Sequence, residues 1–137
     1  MDTTANTARN QIEDLGGCGE TILVIEDDPA LQLFLRQVFD SFNYRTLIAG
    51  SVLDGIMLWH ENRNEISAIV SDFFLPDGTG ELVVKIIHGH HAEAKIMIFT
   101  GSAENERVRQ LSTKVPVLAK PANIYEIAAC LKGLLQA

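Results

Sequence analysis

Four sets of polar residues each stand at the end of a short apolar run. They are Glu26-Asp27-Asp28 after Thr21–Ile25, Asp72 after Ile66–Val70 and Ser71, Thr100 after Lys95–Phe99, and Lys120 after Val115–Leu118 with Ala119. Carboxylates gathered within several ångströms repel one another and raise the apparent pKa of the group. A divalent cation removes that cost. An all-oxygen set favours Mg²⁺, a hard ion that retains several waters, and the absence of Cys or His beside these acids disfavours zinc. Lys120 adds a compact cation on a long stem and Thr100 a hydroxyl, both suited to an anion. Acids, hydroxyl and ammonium together describe a phosphoryl-transfer site, with Asp72 as the nucleophile that becomes an acyl phosphate.

Such a site needs a scaffold that brings the four sets together. Thr21–Ile25 is short, continuous and β-branched, as expected of a strand buried on both faces. Asp28 and Pro29 then read as the N-cap and first turn of a helix with Leu31, Phe34, Leu35, Val38 and Phe39 at helical spacing. A second strand is expected over Tyr44–Ile48, and Ser51 caps a helix carrying Ile56 and Trp59. A third strand spans Ile66–Val70, and the breaker residues of Leu75–Gly80 make a loop before a helix with Leu82, Val83, Ile86 and Ile87. Lys95–Phe99 is a fourth strand, Glu104–Leu111 a short helix, and Val115–Leu118 a fifth strand. Ile124, Ile127, Ala128, Leu131, Leu134 and Leu135 form the last amphipathic helix. Strand and helix thus alternate five times, which implies a parallel sheet covered by helices on both faces. Ligands of such sheets bind outside the carboxyl ends of the strands, where all four sets fall.

Composition bounds the remaining possibilities. At 137 residues, 47% of them hydrophobic, the chain can bury a core without disulfides or metal. Eighteen acids against eleven Lys and Arg give a net charge of -7, which argues against direct nucleic-acid binding by this domain. Cys18 and Cys130 lack any paired spacing, no apolar run is long enough to span a bilayer, and the polar start carries no signal-peptide pattern. These features lead us to expect a cytoplasmic protein without membrane insertion. Residues 1–19, ending in Gly16-Gly17-Cys18-Gly19, read as a flexible N-terminal tail before a domain at 20–137.

The ordered motifs resemble the receiver (CheY-like) family of response regulators, over Thr21 to Leu135. Ile22-Leu-Val-Ile-Glu-Asp-Asp-Pro29 is similar to the family's opening strand and acidic pair. Asp72-Phe-Phe-Leu-Pro76-Asp-Gly-Thr-Gly80 is similar to its phosphoacceptor loop, Thr100-Gly101 to its switch hydroxyl and Lys120-Pro121 to its lysine. The resemblance implies an α/β flavodoxin-like doubly wound (βα)5 fold with strand order 2-1-3-4-5. It implies Asp72 as phosphoacceptor, with Thr100 and Lys120 beside it. The implied Mg²⁺ ligands are Asp27 directly, Glu26 through water, Asp72, and the backbone carbonyl of Phe74. Asp28 is left to cap the helix. The Lys120–Pro121 bond is usually cis in the family.

By the same resemblance the chain is a signalling switch, with Mg²⁺-dependent autophosphorylation and slow autodephosphorylation, and not an enzyme for an outside substrate. A histidine kinase or histidine phosphotransfer protein supplies the phosphoryl group, and an effector reads the face near Glu104–Leu135. The opening Gly-Glu-Thr-Ile-Leu-Val and the closing Val-Pro-Val-Leu-Ala-Lys-Pro resemble receivers of hybrid sensor kinases; dimerisation is left open. Two departures stand out: Val117 replaces the usual aromatic switch residue, and the Thr100–Lys120 segment is slightly short. Other classes remain for comparison. A haloacid-dehalogenase-type hydrolase needs a second Asp where Phe74 stands, and a receiver that takes no phosphate would be a binding module only. His88-Gly89-His90-His91 reads as an exposed turn after the third helix.

Overall fold

The computed structural model describes residues 14–137. Five strands form one sheet: β1 (Thr21–Ile25), β2 (Arg45–Ala49), β3 (Ile66–Ser71), β4 (Ile96–Thr100) and β5 (Val117–Ala119). Their order is β2-β1-β3-β4-β5, and every neighbouring pair is parallel. Five helices connect or follow them: α1 (Pro29–Ser41), α2 (Val52–Asn62), α3 (Gly80–His90), α4 (Glu106–Leu111) and α5 (Ile124–Gln136). This is the expected flavodoxin-like arrangement.

Two apolar layers hold the helices to the sheet. Alternate residues of β1 serve opposite layers: Ile22 and Val24 pack with Leu35, Phe39, Ala128 and Leu131 of α1 and α5. Leu23 and Ile25 pack with Val52, Trp59, Val83, Ile87 and Val108 of α2, α3 and α4. All four of these β1 residues are fully buried, which is why the sequence reads as an unbroken apolar run rather than an alternating one. Burial of each such side chain contributes about 1.5–3 kcal/mol.

The helix starts are set locally. Asp28, Ser51, Thr79, Asn105 and Asn123 occupy the N-caps, each accepting a backbone N–H of the first turn. Glu126 completes a capping box with Asn123. Two segments differ from expectation. α3 continues through His90, so His88 and His90 belong to its last turn, and the His88 ring bonds the Ala94 carbonyl at 2.9 Å. The loop after β3 also has structure: Phe74–Leu75 and Gly78–Thr79 pair as a small antiparallel hairpin. Side-chain breakers mark the turn at Pro76-Asp77, but a ladder of two residue pairs is too short to leave a periodic signal. α4 is only six residues long, in keeping with the short segment between Thr100 and Lys120.

Of the expected tail, residues 1–13 lie outside the described residues. The following stretch runs beside the α1–β2 turn: Gly17 N–H donates to Phe42 O at 2.7 Å and Gly19 N–H to Asn43 O at 2.8 Å. Gly17 is pressed so closely on the Tyr44 ring that a Cβ there would overlap it, 2.1 Å from Cε1.

Candidate functional site

β1 and β3 lie side by side in register, with Ile25 opposite Ser71, so the residues that follow them share one rim of the sheet. Asp72 N–H donates back to Ile25 O at 2.9 Å, which fixes the acceptor strand end against β1. Ligand oxygens of Glu26, Asp27 and Asp72 lie within 4.8 Å of one another. Asp28 stands apart from this set, its Oδ1 accepting Ala30 N–H at 3.0 Å as a helix cap.

β5 brings the lysine. Thr100 pairs with Ala119, and Lys120 N–H donates to Thr100 O at 2.9 Å. From there the Lys120 ammonium reaches back across the rim, donating to Glu26 Oε1 at 2.8 Å and Asp72 Oδ2 at 3.0 Å. It also lies 5.4 Å from the Phe99 ring centroid, a cation–π distance. The Lys120–Pro121 bond is cis. The other Asp72 oxygen, Oδ1, accepts Phe73 N–H at 2.6 Å. Thr100 is buried and its Oγ1 accepts Ser102 N–H at 3.3 Å, which leaves the hydroxyl hydrogen available to donate.

Burial raises the Glu26 carboxyl above its ordinary pKa, and the Asp72 charge adds to this, against the lowering effects of Lys120 and the Asp28 N–H. For Lys120 burial opposes the charged form, but its bonds to Glu26 and Asp72 more than offset this and raise its pKa. A group whose folded pKa is raised binds protons more tightly in the native state, so its contribution to stability falls as pH climbs through that interval. We therefore expect the wild-type advantage over Glu26→Gln to shrink as pH rises through and above the ordinary carboxylate range of about 4. Urea unfolding across that range checks it. An advantage that grows with pH means that the ion pair outweighs the desolvation. Lys120 keeps its charge through the whole window and does not contribute a slope there.

Sequence reasoning placed Glu26, Asp27, Asp72, Thr100 and Lys120 at strand ends, and the structure sets the first three acids and the lysine in one cluster. Phe74, whose carbonyl was expected to complete the set, begins the hairpin two residues after Asp72. Two neighbours were not anticipated. Gln32 Nε2 donates to Glu26 O at 2.5 Å and holds the β1–α1 loop. Asp77 accepts Val52 N–H at 2.7 Å and Leu53 N–H at 3.0 Å, joining the hairpin to the start of α2. Pro-Asp-Gly signals a turn, but nothing local shows that the Asp reaches a helix 25 residues earlier.

The family described as response regulator receiver domain matches residues 22–132. This chain belongs to the response regulator receiver domain family. Among curated proteins, the sensor kinase CckA of Brucella abortus (strain 2308) is 26% identical over 125 residues, 90% of this chain but 13% of that protein. The acid tolerance regulatory protein ActR of Rhizobium meliloti (strain 1021) is 30% identical over 121 residues, 86% of this chain and 61% of that protein. The chain therefore spans about an eighth to three-fifths of the curated relatives it matches. Among solved structures, the receiver domain of sensor histidine kinase PA1611 from Pseudomonas aeruginosa PAO1 superposes with a TM-score of 0.76 at 23% identity, covering 87% of this chain and 99% of that one. That structure has a magnesium ion coordinated in its active-site cleft. The receiver is homologous to those of both hybrid sensor kinases and response regulators, and its acid cluster fits a phosphoacceptor site. Among the described residues no helix is long and apolar enough to cross a membrane.

Proposed function

We propose that residues 20–137 are a phosphoacceptor switch in which Asp72 takes the phosphoryl group. The carrying observation is the Lys120 ammonium held between Glu26 and Asp72 at 2.8 and 3.0 Å within the acid cluster. Donors of the expected class are a histidine kinase or a histidine phosphotransfer protein. An Asp72 carboxylate oxygen attacks phosphorus, the new O–P bond forms as the donor's P–N bond breaks, and the imidazole keeps the electron pair and takes up a proton. Lys120, one ion pair away, screens the charge on the phosphoryl oxygens, and Thr100 donates its free hydroxyl hydrogen to one of them.

The donor set fits Mg²⁺: all ligands are oxygens, and three carboxylates converge with a single ammonium between two of them. Asp27, Asp72 and the Phe74 carbonyl would hold the ion directly and Glu26 through water. When bound, Mg²⁺ neutralises charge on the transferring group. The observation that Glu26 Oε1 already serves Lys120 supports its indirect role. Hydrolysis of the acyl phosphate returns the switch, and an effector reads the face near Glu104–Leu135. Val117, on β5, supplies no aromatic ring for reorientation, so the signal passes through Thr100 and the backbone it shares with Lys120. The likeness to the receiver domain of hybrid histidine kinase CckA supports a place in a hybrid kinase relay, and we place the domain in the cytoplasm.

Incubation with Mg²⁺ and acetyl phosphate, followed by intact mass, tests this reading. One phosphoryl group is expected with Mg²⁺ and none after EDTA, because the clustered carboxylates then repel the incoming anion. No adduct and no beryllofluoride binding would make the chain a binding module only. Steady phosphate release from unrelated esters would make it a hydrolase.

A further inference from the structure

We infer that Asp77 is a positioning residue for the metal-binding rim: by clamping the hairpin tip to the start of α2, it holds the Phe74 carbonyl where Mg²⁺ needs it. The inference rests on the metal reading above. The hairpin after Asp72 consists only of the pairs Phe74–Thr79 and Leu75–Gly78. A ladder this short has no stability of its own. Its base carries Phe74, two residues after Asp72, and its tip carries Asp77.

What keeps the hairpin in place is visible at both ends. At the base, Gly80 N–H donates to Phe73 O at 2.6 Å. At the tip, the two Asp77 oxygens take separate N–H groups of α2, Val52 at 2.7 Å and Leu53 at 3.0 Å. These bonds, Leu53 first and then Val52, also hold its carboxyl below the usual range, so it is charged at neutral pH. Gly78 permits the approach: a Cβ there would stand 3.2 Å from both Val52 Cγ2 and Leu82 Cδ2. Ser51 caps the same helix, accepting Asp54 N–H at 3.1 Å, and is not hydrogen-bonded through its side chain to the hairpin. The helix therefore has a cap without Asp77, whereas the hairpin has no other side-chain hydrogen bond to α2 among the described residues.

Mg²⁺ demands near-ideal octahedral geometry, so a ligand carbonyl on a loosened hairpin weakens binding even when every side-chain ligand is intact. Magnesium titration followed by amide NMR, with no phosphodonor present, reads this directly. Asp77→Ala is expected to weaken Mg²⁺ binding about tenfold or more, and Asp77→Asn, with one acceptor oxygen left, to fall between. Ser51→Ala, which costs α2 a cap but leaves the hairpin tie, should bind Mg²⁺ as wild type does. Equal affinity in Asp77→Ala and wild type, or an equal loss in Ser51→Ala, overturns the inference, as does a wild type that binds no Mg²⁺. If the affinities shift as expected but wild type takes no phosphoryl group from acetyl phosphate, the positioning role stands and the phosphoacceptor reading falls.

Discussion

Asp72→Asn should remain folded and take no phosphoryl group from acetyl phosphate under conditions in which wild type is fully modified. The amide is no nucleophile, and Glu26, the other carboxylate bonded to Lys120, is buried at 3% exposure. Asp72 is tied to Ile25 O through its own N–H, to Phe73 N–H through Oδ1 and to Lys120 through Oδ2. Asn keeps the shape and one oxygen for Phe73. Lys120 keeps its bond to Glu26, and loss of the Asp72 charge removes one of the effects that raise the Glu26 pKa. Stability should therefore change by no more than about 1 kcal/mol, since the lost ion pair is partly exposed to solvent and partly replaced. Intact mass and urea unfolding of the same preparation measure both halves. Modification that persists in Asp72→Asn would move the acceptor to Glu26 or Asp27 and reverse the assigned roles.

Gly80→Ala should destabilise the fold by about 1–3 kcal/mol and slow phosphorylation at the same time. A Cβ at Gly80 would stand 2.8 Å from the carbonyl oxygen of Asp72, 2.9 Å from Ile98 Cδ1 and 3.2 Å from Phe73 Cα. Two of those three are backbone atoms of the acceptor loop, which cannot turn aside as a side-chain tip can. Relief must come from moving α3 or the peptide that carries Asp72, and either displaces the nucleophile. Gly133→Ala is the matched comparison. Gly133 lies within α5, and a Cβ there meets open space. Alanine is a better helix former, so this change should stabilise by about 0.5–1 kcal/mol with phosphorylation unaltered. Thermal unfolding of both variants beside wild type settles the pair. Equal stability changes would mean that the close approach at Gly80 is relieved by the loop at little cost.

The family's proline and glycine within the acceptor loop were legible as Pro76 and Gly80, but the crowding that requires the glycine was not. The same division runs through the rest of the molecule. Local order was plain in the amino-acid sequence. Thr21–Ile25 reads as a doubly buried strand because all its interior residues are apolar, and Asp28 and Ser51 read as caps because short polar side chains serve the free N–H groups of a helix start. Alternation of such elements, with polar residues after the first, third, fourth and fifth strands, also placed the acids, the threonine and the lysine at one edge of a parallel sheet. These properties depend on neighbours a few residues away.

Tertiary structure decided the rest. It chose Glu26 as the buried partner of Lys120, 94 residues distant, and gave that lysine to Glu26 and Asp72 together. It turned the loop after Asp72 into a hairpin and carried Asp77 to a helix 25 residues upstream. It also ran α3 on through His90, where the sequence suggested a turn. Each of these depends on the separation and register of packed elements, which a local pattern does not carry. The spacing of residues determined which groups could meet, and the packing of α2 and α3 against the sheet, with the pairing of β5 at its edge, determined which did.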